Sequence, residues 1–218
     1  MGRSDLQKLL DQKKSAKKHL IDECWRGDLF LRSGGGSPSR AMVGIPPLRR
    51  EATRLSPRTV CSEEPLLIIF TTKEKSNHEL VHNLLEGLLV LPVLVVVVSE
   101  EEPGEIARHH SGKFFWFNPE SGRNAPKLDN FLIGADMAVV FDEKQATLNA
   151  LFDKGVVPVG HEKSVMLSNY NAIEEKGNSF TYAEKGPWGV FAAVVRACET
   201  YRFPYDWQHI IRGILNVR

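Results

Sequence analysis

Cysteine is scarce in this chain. Its 218 residues include three, Cys24, Cys61 and Cys198, far apart and with no CxxC pair. An odd, scattered set excludes a disulfide framework and a zinc knuckle, and it fits a reducing compartment. No apolar signal core opens the sequence. The longest apolar run, residues 88–98, is 11 residues long and contains Pro92, whereas a helical membrane span needs about 20. No membrane partner is therefore expected, and the cytoplasm is the expected location. A large excess of one charge is also lacking. Net charge is +1, spread unevenly: residues 1–60 carry 13 Lys/Arg against 6 Asp/Glu, and residues 61–218 carry 15 against 21. The acidic balance of the larger part argues against a nucleic-acid-binding core.

Three regions follow from composition. Residues 1–31 read as a basic helical segment, with Leu6, Leu9, Leu10, Ala16 and Leu20 as an imperfect apolar stripe. Its charge predicts a solvated, flexible arm. Residues 32–64 read as a linker, because Ser33-Gly-Gly-Gly-Ser-Pro-Ser39 cannot order its glycines cheaply and Pro46, Pro47 and Pro57 extend the break. The linker is rich in Arg and Ser, like an organelle transit peptide, which makes a plastid the alternative location, although the stretch is internal.

Residues 65–218 read as the folded domain. Residues 66–72 and 91–99 are apolar runs without alternation, as in parallel strands covered on both faces. Ser76-Asn-His-Glu79 has capping-box spacing and starts a helix to about residue 89. Further strands are predicted at 113–117, 136–141, 156–159 and 178–182. Helices are predicted at 103–110, 125–134, 145–154, 188–201 and 205–216, with Trp188 and Trp207 packing inward. This alternation predicts an α/β fold, a Rossmann-like parallel sheet flanked by helices.

Such sheets bind ligands at the carboxyl ends of their strands. The positions to watch are Thr71, Thr72, 99–101, Asn118, 142–147 and 160–163, with His161 in reach of the cleft. Backbone N–H groups of Gln145, Ala146 and Thr147 could hold a diphosphate. Asp142 and Gln145, however, have capping-box spacing, so an Asp142 cap is expected to compete for those donors. His78-Glu79-Leu80-Val81-His82 also matches the zinc-protease pattern His-Glu-x-x-His, with Glu100, Glu101 or Glu102 as third ligand. No metal is expected, because zincins place that ligand on a second helix rather than after an apolar strand.

The order of parts in the last third is more specific. Gly134-Ala-Asp136 leads into Val139-Val-Phe-Asp-Glu143, then Gly155-Val-Val-Pro-Val159, then Gly177-Asn-Ser-Phe-Thr-Tyr182. Ala193, Ala197, Tyr201 and Trp207 follow on the terminal helices. This series resembles the C-terminal, nucleotide-sugar-binding domain of the glycogen synthase and starch synthase family of GT-B glycosyltransferases. Lys13-Lys14-Ser-Ala-Lys-Lys18 is similar to the Lys-rich helix that precedes that domain. The resemblance implies a single GT-B half-domain with C-terminal helices. Its donor would be ADP-glucose or UDP-glucose, with no other cofactor.

By the same resemblance Lys75, or Lys73, would offset diphosphate charge. Asp142 or Glu143 would hold the sugar, and Thr147 with its helix start would cradle phosphate. The family's Arg after the first strand falls near Thr72 or Phe70, so one cation is missing, a loss of roughly several kcal/mol of transition-state stabilisation. The family's Glu-Pro-x-Gly turn is replaced by Asp142-Glu143-Lys144-Gln145, and Ser164-Val-Met-Leu167 stands where Gly-Gly-Leu is expected. With one α/β pattern, the chain is expected to be half an enzyme. Its expected partners are a nucleotide sugar, and then either an α-glucan reached through a separate acceptor-domain chain, or none, as a binding module without catalysis.

Overall fold

The computed structural model describes residues 3–25, 64–71, 75–100, 114–119, 128–142 and 144–216, without the side chains of 3, 25 and 75–78. Most of the expected linker, the helix at 103–110, Thr72, Lys73 and Glu143 lie outside the described residues.

Six strands form one parallel sheet in the order β3-β2-β1-β4-β5-β6. They are β1 (Leu66–Phe70), β2 (Leu94–Val98), β3 (Phe114–Phe117), β4 (Met137–Val139), β5 (Val157–His161) and β6 (Phe180–Tyr182). β1 and β2 are the near-pure aliphatic runs. From Leu66 to Ile69 and through all of β2 every side chain is buried, as helix-covered parallel strands require.

The helices are α1 (Arg3–Leu20), α2 (Lys75–Leu88), α3 (Leu128–Gly134), α4 (Gln145–Asp153), α5 (Pro187–Tyr201) and α6 (Pro204–Leu215). A single π-helical turn, Ile21–Trp25, extends α1. Proline opens both α5 and α6, where its missing N–H loses no bond and its fixed φ suits a first helical residue. α2 packs on α5, α1 on α3, and α4 on α6. Among the described residues no helix is long and apolar enough to cross a membrane.

α1 departs from the expectation of a solvated arm. Leu6, Lys13, Lys17 and Leu20 are buried at helical spacing, so one face of the helix is part of the core. The Lys17 ammonium pairs with the Asp136 carboxylate at 2.7 Å and donates to the Tyr201 hydroxyl at 3.2 Å. The same Asp136 oxygen accepts the Leu66 N–H at 2.8 Å. One carboxylate thus ties α1 to the starts of β1 and β4. The Lys13 ammonium donates to the carbonyls of Ala135, at 2.6 Å, and Lys154, at 2.9 Å. Gly134 lets the helix come this close. A Cβ there would meet a Leu20 methyl at 2.6 Å and the Lys17 backbone at 3.2 Å.

A second departure concerns Trp188. It is largely exposed, touching the Phe191 ring edge-on, whereas Trp207 is buried between Phe180 and Tyr201 as expected.

Candidate functional site

The strand order reverses direction at one place. From β1 the chain steps to β2 and β3, then returns to lay β4 on the other side of β1. In sheets of this kind ligands bind at the carboxyl edge beside such a reversal, which here falls between β1 and β4.

Thr71 ends the β1 side of this edge. Its N–H and its hydroxyl both donate to the Val98 carbonyl, at 3.0 and 3.2 Å. The side chain thereby fixes the end of β1 against β2. Tyr182 braces the β4 side, donating its buried hydroxyl to the Val140 carbonyl at 3.3 Å. Sequence gave no signal for that contact, because it joins the first residue after β4 to a strand two places away.

α4 starts immediately beyond. Its N-cap is Lys144, in extended conformation and without a side-chain cap. The expected capping box from Asp142 does not form. The Asp142 carboxylate is taken by the Lys144 ammonium, and this hydrogen bond raises the ammonium's pKa above its ordinary value. Among the described residues the N–H groups of Gln145, Ala146 and Thr147 thus meet no capping carboxylate. A helix start in this state presents backbone donors and the positive end of the helix dipole. Gln145 and Ala146 are exposed and Thr147 is half-buried. Lys144 was missed as a site residue, although its place just before Gln145 marks it as a cation at the mouth of that helix.

His161 is displaced from its expected role. It is the last residue of β5 rather than a loop residue, and it is buried. Its Nδ1 accepts the Lys163 N–H at 3.1 Å, and its ring stands edge-on to Tyr182. One ring nitrogen is committed to shaping the turn after β5. Lys75 is the first residue of α2, at the same edge of the sheet, with its side chain outside the described residues. The structure therefore brings Thr71, Asp142, Gln145, Ala146 and Thr147 to one edge, and sets His161 into the adjacent strand.

In the protease-like pattern, Glu79 and His82 are exposed on α2, and the side chain of His78 falls outside the described residues, as do Glu101 and Glu102. Among the described residues no three His, Cys, Asp or Glu side chains gather as a metal site.

No family model matches the chain, and no curated protein matches it. Among solved structures, Anabaena HepE in complex with UDP and glucose is similar over 72% of this chain and 44% of that one, at 11% identity and a TM-score of 0.47. The chain thus spans less than half the length of that protein. At this distance the likeness assigns neither chemistry nor ligand.

Proposed function

We propose that the carboxyl edge binds a nucleotide sugar, and that the domain is the donor half of a GT-B glycosyltransferase of glycogen or starch synthase type. The observation that carries this reading is the uncapped start of α4 at the point where the strand order reverses. The N–H groups of Gln145 to Thr147 take the diphosphate, and Lys144 leaves Asp142 to pair with it. Lys75 adds charge from the start of α2. Asp142, once released, or Glu143 accepts from the sugar hydroxyls. ADP-glucose and UDP-glucose both fit these contacts, since none of them reads the base.

Transfer needs an acceptor. The hydroxyl of an α-glucan end would attack the glucose C1, the bond from C1 to the diphosphate would break, and the nucleoside diphosphate would leave. The acceptor surface would come from another chain. Without it the domain binds and does not transfer. The buried thiols of Cys24 and Cys198 suit a reducing compartment, the cytoplasm or a plastid.

The test is thermal unfolding with ADP-glucose, UDP-glucose or ADP. A ligand at 100 times its Kd stabilises the fold by about 2.7 kcal/mol, a rise in Tm of roughly 5 °C or more for a domain of this size. Lys144→Asp installs a cap on α4, so it should raise the unliganded Tm and erase the shift. If no sugar nucleotide moves the wild-type Tm, the reading is wrong. A shift that survives Lys144→Asp would move the ligand elsewhere.

A further inference from the structure

At the amino edge of the sheet an open cavity of about 1270 Å³ lies between α1 and the turn from α5 to α6. Pro65, Pro92 and Asp136, which precede β1, β2 and β4, line it from the sheet. α1 contributes Lys13, Lys14, Lys17 and Lys18, and Arg202 contributes a fifth cation from the α5–α6 turn. Among the described residues the carboxylates on its walls are Glu64 and Asp136.

The four lysines form two rows on the helix. Lys13 and Lys17, one turn apart, are 4% and 3% exposed. Lys14 and Lys18, one step around the helix, are exposed. Asp136 answers the charge of Lys17. Lys13 has no carboxylate among its hydrogen-bond partners, which are the neutral carbonyls of Ala135 and Lys154. Among the described residues the two buried ammonium groups therefore share one bonded carboxylate, and an uncompensated buried charge is strongly disfavoured. Each ammonium has three donors. Lys13 gives two to carbonyls, and Lys17 gives two to Asp136 and Tyr201. Among the described residues the third N–H of each has no hydrogen-bond acceptor, and both side chains line the cavity.

We propose that this amino-edge cavity is a second site, independent of the carboxyl edge, that binds a phosphate-bearing small molecule. Its phosphate takes the remaining donors of Lys13 and Lys17 and supplies the missing counter-charge. Lys14, Lys18 and Arg202 draw the anion in as point charges or, for Arg202, as a planar fork. Arg202 is held loosely for this, by an exposed pair with Glu199 at 3.4 Å. Leu10, Pro204 and Ile211 offer apolar wall to the rest of the ligand.

The protonation of Lys13 reports on occupancy. Burial pulls its pKa down to about 8, with Lys17 adding to the fall and Asp136 opposing it. Among the described residues the other charged or titratable groups around the cavity are Lys14, Lys18, Arg202, the Tyr201 hydroxyl, the Cys198 thiol, Glu64, and Lys154, whose own ammonium pairs with Asp129 at 3.0 Å. A phosphate beside Lys13 raises its pKa, so binding near pH 8 takes up protons.

The experiment is calorimetric titration of the full chain with inorganic pyrophosphate at pH 8, in two buffers of different protonation enthalpy. The Lys144→Asp background removes the carboxyl edge from the measurement. Binding should persist there, and adding Lys14→Glu with Lys18→Glu should weaken it by roughly tenfold or more, since two attracting charges at the cavity become repelling ones. Both positions are exposed, so an unchanged Tm serves as the check that the fold is kept. Lys13→Met should lower the proton uptake relative to its parent. Absence of pyrophosphate binding in the Lys144→Asp protein overturns the proposal, and so does binding indifferent to the Lys14 and Lys18 changes.

Discussion

The two edges of the sheet handle charge in opposite ways. At the carboxyl edge the N-cap residue of the helix gives no side-chain cap, Lys144 and Asp142 are 74% and 44% exposed, and among the described residues they pair with each other. At the amino edge the charges are buried and bonded to backbone: Lys17, Asp136 and the Leu66 N–H form one cluster, and Lys13 spans two carbonyls. At the carboxyl edge the paired groups stay in water, where partners swap at little cost. At the amino edge the groups that fix the fold are out of water, where losing one partner strands the other, and a ligand there is met by the donors the fold leaves over and by the exposed cations at the rim.

The largest test of this contrast is to strand a charge. Lys17→Ala leaves the Asp136 carboxylate buried and unpaired, and unfolding by urea should show a loss of about 3–5 kcal/mol. At the other edge Asp142→Ala should change stability by less than about 1 kcal/mol, because exposed ion pairs contribute little. If both substitutions cost the same, the contrast fails.

A smaller effect is expected from Gly134→Ala. Its methyl would press on Leu20 and on the Lys17 backbone, and such overpacking costs typically about 1–3 kcal/mol. A crystal structure should show α1 moved away from α3. A variant as stable as wild type, with α1 in place, would mean the approach is not tight.

The smallest effect is one of pH. The Lys13 pKa is about 8 in the fold and 10.5 in an unconstrained lysine. Between these values the unfolded chain binds more protons, so this group makes the unfolding free energy rise with pH. The thiols of Cys24 and Cys198 act the other way, since burial pushes both up to about 12 from 9.0. Above pH 9 the unfolded thiols ionise and the folded ones do not, which lowers stability. Between about pH 8 and 9 the thiols of the unfolded chain have begun to ionise in both proteins, so Lys13 shows as the difference between them. There, stability should fall with pH more steeply in Lys13→Met than in the wild type, and equal slopes would show that Lys13 keeps its proton.

The sheet was legible because β-branched and leucine runs without alternation have few alternatives to a buried parallel strand. Leu66–Phe70 and Leu94–Val98 needed no motif. The carboxyl-edge positions followed from the strand order alone, which is why Thr71 and Gln145 to Thr147 fall where expected. α1 was misread because lysine is almost never fully buried, so Lys13 and Lys17 counted as surface charge. Their spacing with Leu6 and Leu20 was the available signal, since all four positions fall on one helical stripe. Asp142 was misread for a different reason. Capping-box spacing fits it, but a cation two residues away, Lys144, competes for the same carboxylate. Sequence spacing cannot rank those two partners.

The staple at the amino edge also sets an order of assembly. Lys17 meets Asp136 across 119 positions and Tyr201 across 184. During synthesis α1 emerges before the elements that seat it, and its seat is complete only when α5 has been made. Such distant pairings are slow to find, because the chain loses loop entropy before the contact rewards it. Until then a helix with an oily, lysine-lined face waits without its site, and any product ending before residue 201 would leave it so. An early element thus waits for a late one, and the growing chain carries that face from the emergence of α1 until Tyr201 has been made.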